Sequence, residues 1–90
     1  MPPQPKVTSV SVKAYVLIEV AVGKMTVRDV IAALKNVKGI TSVEAVTGPY
    51  DVIAVLEGKD VNAVGDLVTR HIHTIGGIER TVTCLAVTLS

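Results

Sequence analysis

The sequence contains no tryptophan, no phenylalanine and only two tyrosines among 90 residues. So few aromatic faces exclude a base-stacking platform for single-stranded nucleic acid. Nine Lys+Arg balance eight Asp+Glu, a formal net charge of +1. That excludes a protein that coats nucleic acid electrostatically, whose domain would be strongly basic. A single cysteine, Cys84, excludes an intrachain disulfide and any multi-cysteine zinc or iron–sulfur site. Neither a G-x-x-x-x-G-K-[ST] nor a G-x-G-x-x-G phosphate loop is present. No apolar run reaches the ~18 residues of a membrane helix. The N-terminal MPPQPK has no apolar h-region of a signal peptide. These absences lead to the expectation of a soluble, cytoplasmic chain without cofactor, metal, membrane partner or direct nucleic-acid contact.

What is present is aliphatic. Hydrophobic residues make up 49% and charged residues 19%, a globular balance, and eighteen residues are valine. Valine is stiff at χ1 and favours strands. The length allows one domain. A domain of this size buries only ~60–65% of its unfolded surface, so a monomer is marginal unless a partner covers more.

Three prolines in the first six residues predict an extended tail, and residues 1–13 are read as that tail. Val10 and Val12 alternate within it and suit a backward extension of the first strand. Residues 14–90 are the domain. Ala14 to Val22, broken only by Glu19, reads as a strand ended by Gly23. Thr26 to Lys38 reads as a helix: Val27, Val30, Ile31, Leu34 and Val37 form one apolar stripe. Thr26 is its N-cap, with Asp29 three residues on, and Gly39 follows its end. Ile40 to Thr47 is a second strand, Gly48-Pro49-Tyr50-Asp51 a turn, and Val52 to Leu56 a buried third strand. Asp60 caps a second helix with the stripe Val61, Val64, Val68, Ile72 and Ile75. Gly76-Gly77 ends it, and Ile78 to Leu89 is the last strand.

The two halves match. A shift of 38 residues puts Glu19 on Glu57, Leu34 on Ile72, Val37 on Ile75, Gly39 on Gly77 and Ile40 on Ile78. A duplicated βαβ unit predicts an α+β, ferredoxin-like βαββαβ sandwich, with two helices on one face of a four-stranded antiparallel sheet. In the first strand Val16, Ile18, Val20 and Val22 point one way, and Tyr15, Leu17 and Ala21 the other. A sheet covered on one face should alternate apolar and polar. This one is apolar on both, so the second face is expected to pack against a second copy, as in a dimeric α/β barrel.

Few residues suggest chemistry. His71 and His73 on a helix lie ~200° apart, and no further ligand completes a metal site, so they read as surface or interface side chains. Cys84 sits between Val82 and Ala86 and reads as a small buried hydrophobe. Glu19 and Glu57, at equivalent repeat positions, suit an approach across the sheet or two polar strand ends. The most informative feature is the link Thr47-Gly48-Pro49-Tyr50-Asp51. Gly48 allows close backbone approach, and Asp51 accepts from a backbone N–H or an ammonium group. Thr81 and Thr83 share one face of the last strand, and hydroxyls in an aliphatic protein need partners. Chemistry alone leaves two readings open: a binding site, or an aspartate that organises a turn and threonines that suit a strand.

The runs AYVLIEVAVGK, NVKGI, VTGPYDVIAVLE and IGGIERTVTCLAV resemble the C-terminal ligand-binding domain of the leucine-responsive and asparagine-type (Lrp/AsnC) regulators. The resemblance spans Ala14 to about Thr88. It implies a ferredoxin-like sandwich whose dimers, paired through their sheets, assemble into rings, commonly of eight subunits. It implies a small effector, usually an amino acid, bound between dimers. Carried onto matching positions, the site comprises Gly48, Tyr50, Asp51, Thr81 and Thr83. Pro49 removes one backbone donor from that link. Relatives carry a helix-turn-helix domain that these residues do not include, so the resemblance is to a stand-alone module, not itself an enzyme. Any effect on transcription would run through a full-length relative. The competing readings are a cofactor-free dimeric enzyme of monooxygenase or isomerase type, and a purely structural oligomerisation protein.

Overall fold

Thr26 and Asp29 start the first helix by capping each other. Asp29 N–H donates to Thr26 Oγ1 at 3.1 Å, and Thr26 N–H donates to Asp29 Oδ2 at 3.4 Å. The computed structural model describes residues 11–87. Its elements are β1 (Val12–Val20), α1 (Val27–Lys35), β2 (Ile40–Ala45), β3 (Val52–Gly58), α2 (Val61–Leu67) and β4 (Ile78–Leu85). A π-helical segment, Val68–Ile72, continues α2. All strand pairs are antiparallel, in the order β2-β3-β1-β4. This is the ferredoxin-like α+β sandwich that the duplicated pattern predicts.

Both helices cover the same sheet face. Ala14, Val16 and Ile18 of β1 and Val52, Ala54 and Leu56 of β3 are fully buried there, against Val30 and Leu34 of α1 and Val64, Leu67, Val68 and Ile72 of the second helical segment. A nine-residue helix is marginal alone. Packing therefore holds α1, since each buried Val or Leu contributes roughly 1.5–3 kcal/mol.

Several boundaries differ from the sequence reading. The helix expected over Thr26–Lys38 stops at Lys35, where Val37 N–H donates to Leu34 O at 3.0 Å and tightens the chain into Gly39 at φ +102°. The second stripe does not run through one straight helix. His73 N–H donates to Val68 O at 2.8 Å, five residues back, so the last turn is wide. Of the expected tail, residues 1–10 lie outside the described residues, as does Leu89, and Val12 and Lys13 belong to β1.

Glu19 pairs with Arg80 but Val20 pairs with Ile78, so β4 has one extra residue there, Glu79, and its own alternation shifts. The strand expected to run to Val22 ends at Val20. Beyond it Ala21 is buried and Val22 fully exposed, the reverse of the expected faces. Ala21 N–H donates to Gly77 O at 2.8 Å and holds the chain there.

Among the described residues, no element covers the other sheet face. Tyr15, Leu17, Ile53, Val55, Val82 and Cys84 share it, with Tyr15 and Val82 each 38% exposed. Lys13 lies opposite Glu57 at one end, and Arg80 Nη2 lies 3.9 Å from Glu19 Oε2 at the other. Cys84, read as buried, is exposed on this face, because no described element packs over it. Glu19 and Glu57 do not approach each other. They sit six residues apart in register along β1, a separation of ~20 Å at strand rise.

Candidate functional site

The link between β2 and β3 folds back onto the end of β1, and Asp51 holds it there. Its N–H donates to Ile18 O at 2.9 Å, its C=O accepts from Val46 N–H at 2.9 Å, and its Oδ2 accepts from Val20 N–H at 2.8 Å. The aspartate thus organises the turn, one of the two readings that its chemistry left open. The same contacts fix where its carboxylate stands. Gly48, at φ +138°, turns the link outward into open space, a conformation that side-chain-bearing residues rarely adopt.

Together these residues form an open groove of about 570 Å³. Gly48, Pro49 and Asp51 make one wall, and Glu19 to Val22 with Glu79 make the other. Three carboxylates line it. Among the described residues, Glu19 has only the long, exposed contact to Arg80, which is weak. The groove therefore favours a cationic group such as an ammonium. Tyr50 is half-buried and does not line it.

Thr81 and Thr83 share a face of β4, as predicted, and it is the helix side of the sheet. They pair with Ile18 and Val16 of β1. The helices cover β1 and β3 but leave these hydroxyls accessible. Thr81 is half-buried and lines a second cleft of about 240 Å³, with His73, Ile78, Glu79 and Arg80. Its Oγ1 lies 2.9 Å from His73 Nε2. Thr83 is exposed and lines neither space. The structure thus brings Gly48 and Asp51 together and sets Thr81 in the adjoining cleft. Glu79 lines both.

Sequence reasoning missed Glu79; it read His73 as a surface or interface side chain, and His73 is exposed, but its contact to Thr81 was not foreseen. Glu79 is the bulge residue, and His73 follows the π-helical turn. Both positions arise from departures from regular period, which a periodicity reading does not register. Among the described residues, no three His, Cys, Asp or Glu side chains converge to hold a metal ion. No described helix is long and apolar enough to cross a membrane.

Comparison with known proteins places this geometry in a family. The model of the Lrp/AsnC ligand binding domain matches residues 13–88. A solved protein of Thermus thermophilus is 35% identical, with 88% of this chain and 96% of that one covered and a TM-score of 0.79. A Pyrococcus horikoshii protein is 27% identical, with 87% and 92% covered and a TM-score of 0.76. A transcriptional regulator of Neisseria meningitidis, solved as an L-Met complex, is 17% identical over 94% of this chain and 55% of its own, with a TM-score of 0.79. That last likeness concerns the fold alone. Comparison with curated proteins gives no match. With the family model spanning β1 to the end of β4, this chain belongs to the Lrp/AsnC ligand-binding domain family.

Proposed function

We propose that the chain is a cytoplasmic effector-sensing module that binds an amino acid where two dimers meet and has no catalytic step. The observation that carries this reading is the groove at the β2–β3 link. Two positions matched to the family's site, Gly48 and Asp51, line it, and a third, Thr81, lines the adjoining cleft. Tyr50 and Thr83 belong to the proposed site as contributors from its margins. The Neisseria meningitidis relative, solved with L-Met, supports an amino acid as ligand class.

The mechanism follows from charge and exposure. Asp51 and the neighbouring carboxylates attract the ammonium group, and hydroxyl and backbone donors take the carboxylate. The groove is open on the chain's own surface, so a ligand in it remains available to a second dimer. A ligand that touches both sides binds the assembled state better than the separate one and shifts the association equilibrium. Effects on transcription follow from co-assembly with a DNA-binding relative.

A thermal-shift screen against the twenty amino acids tests this. A ligand at ~100 times its Kd adds ~2.7 kcal/mol of stability. For a domain of this size that raises Tm by several degrees. A selective rise with one or a few amino acids is the expected result. No rise with any of them would remove the amino-acid reading and favour a purely structural role in assembly.

A further inference from the structure

On the amino-acid reading above, we propose that His73 is a positioning residue of the site, setting the Thr81 hydroxyl that receives the ligand's carboxylate. The π-helical turn carries the first part of the argument. Its five-residue hydrogen bond, His73 N–H to Val68 O at 2.8 Å, inserts an extra residue before the chain leaves the helix. Such insertions change which side chain faces a neighbouring element. Here the turn delivers the His73 ring to β4, with Nε2 2.9 Å from Thr81 Oγ1.

Hydroxyl chemistry carries the second part. A threonine hydroxyl has one donor hydrogen and rotates to suit its surroundings. When Nε2–H donates to Oγ1, the hydroxyl's own hydrogen is released from the histidine and turns to the cleft. Arg80 borders the same cleft, but its guanidinium stands toward Glu19 on the open sheet face. Glu79 lines the cleft too and borders the acidic groove. A zwitterion matches this order: its carboxylate beside Thr81, its ammonium beside Glu79 and Asp51.

The His73–Thr81 bond is exposed, so it adds little to stability. Its loss should register in binding instead. The strongest amino acid from the twenty-member screen serves as probe, with Kd measured by calorimetry on the full chain. His73→Ala weakens binding about tenfold, the loss of one well-placed hydrogen bond, while His73→Gln, whose amide also donates, stays within about threefold. The ligand-free Tm is unchanged in both. Thr81→Val weakens binding, and adding His73→Ala to it costs nothing further, because the histidine acts through the hydroxyl. Three results would overturn the assignment while leaving the effector reading intact: His73→Ala binding as wild type, His73→Gln as weak as His73→Ala, or additive effects of the two substitutions. Wild-type protein that binds none of the twenty would overturn the effector reading, and this assignment with it.

Discussion

Asp51 joins the fold to the groove through different atoms. Its main chain bonds Ile18 and Val46, and its carboxylate bonds the N–H of Val20 and lines the groove. Asp51→Ala leaves a half-buried backbone donor without its partner, which costs about 1–3 kcal/mol. Asp51→Asn retains an acceptor for Val20 and removes the charge, so it costs less, under about 1 kcal/mol. Urea denaturation midpoints separate the two. Both substitutions weaken any amino-acid response, and both leave the dimer intact because the link lies off the open sheet face. An Asp51→Asn protein with unchanged ligand affinity would remove the carboxylate's charge from the site. Asp51 and Gly48 were legible in the sequence because turn chemistry concentrates glycine and aspartate at one place. Glu79 and His73 were not. Each owes its position to one extra residue, in a bulge or in a wide helical turn, and nothing in residue type marks that insertion.

The elements themselves were legible where local chemistry repeats. Thr26 and Asp60 cap as predicted, the latter accepting from Ala63 N–H at 2.7 Å. The 38-residue repeat also has a physical basis. Gly39 and Gly77 occupy equivalent points, each where a helical segment hands over to a strand, and each is closed to a side chain. A Cβ on Gly39 would collide with the buried Leu67 side chain, and its φ of +102° suits glycine alone. A Cβ on Gly77 would lie 2.5 Å from Met25 Cβ, an atom fixed to the backbone, so a new methionine rotamer does not relieve it. Gly39→Ala is expected to cost at least ~2 kcal/mol from strain and collision together. Gly77→Ala is expected to cost a comparable ~2 kcal/mol, since the backbone at Met25 must shift. Thermal melts of the two variants check both. A melting temperature unchanged by Gly77→Ala would mean that the loop at Met25 moves aside freely. What the repeat did not convey is where strict period fails. The β4 bulge shifts the parity of β4 itself, so Ile78 stands opposite Val20 while Arg80 stands opposite Glu19. Ala21 and Val22 lie past the end of β1, where strand alternation no longer applies, and there Ala21 is inside and Val22 outside.

The open sheet face is where a second copy is expected to pack. Its centre is apolar, with Leu17, Ile53 and Val55 half-buried and Tyr15, Val82 and Cys84 more exposed. Its ends carry opposed charges, Lys13 beside Glu57 and Arg80 beside Glu19. A patch with an apolar centre and both signs of charge at its rim is self-complementary under two-fold rotation. This much was legible in the sequence, because a first strand apolar on both faces has no other simple use in a chain with helices enough for one. The protein is expected to sediment as a dimer or larger species at micromolar concentration. Leu17→Asp places a carboxylate at the centre of the face without touching the buried side of β1. It should weaken dimerisation at least tenfold, since an unpaired charge in an apolar interface costs more than ~1.4 kcal/mol. The same substitution should leave the secondary structure in place while lowering Tm, because the uncovered face no longer gains a partner. A monodisperse 9.4 kDa wild-type monomer in sedimentation would contradict the buried-face argument. A Leu17→Asp protein that remains dimeric would instead move the interface elsewhere, and the groove at the β2–β3 link, which the same dimers must share, would then need a different neighbour.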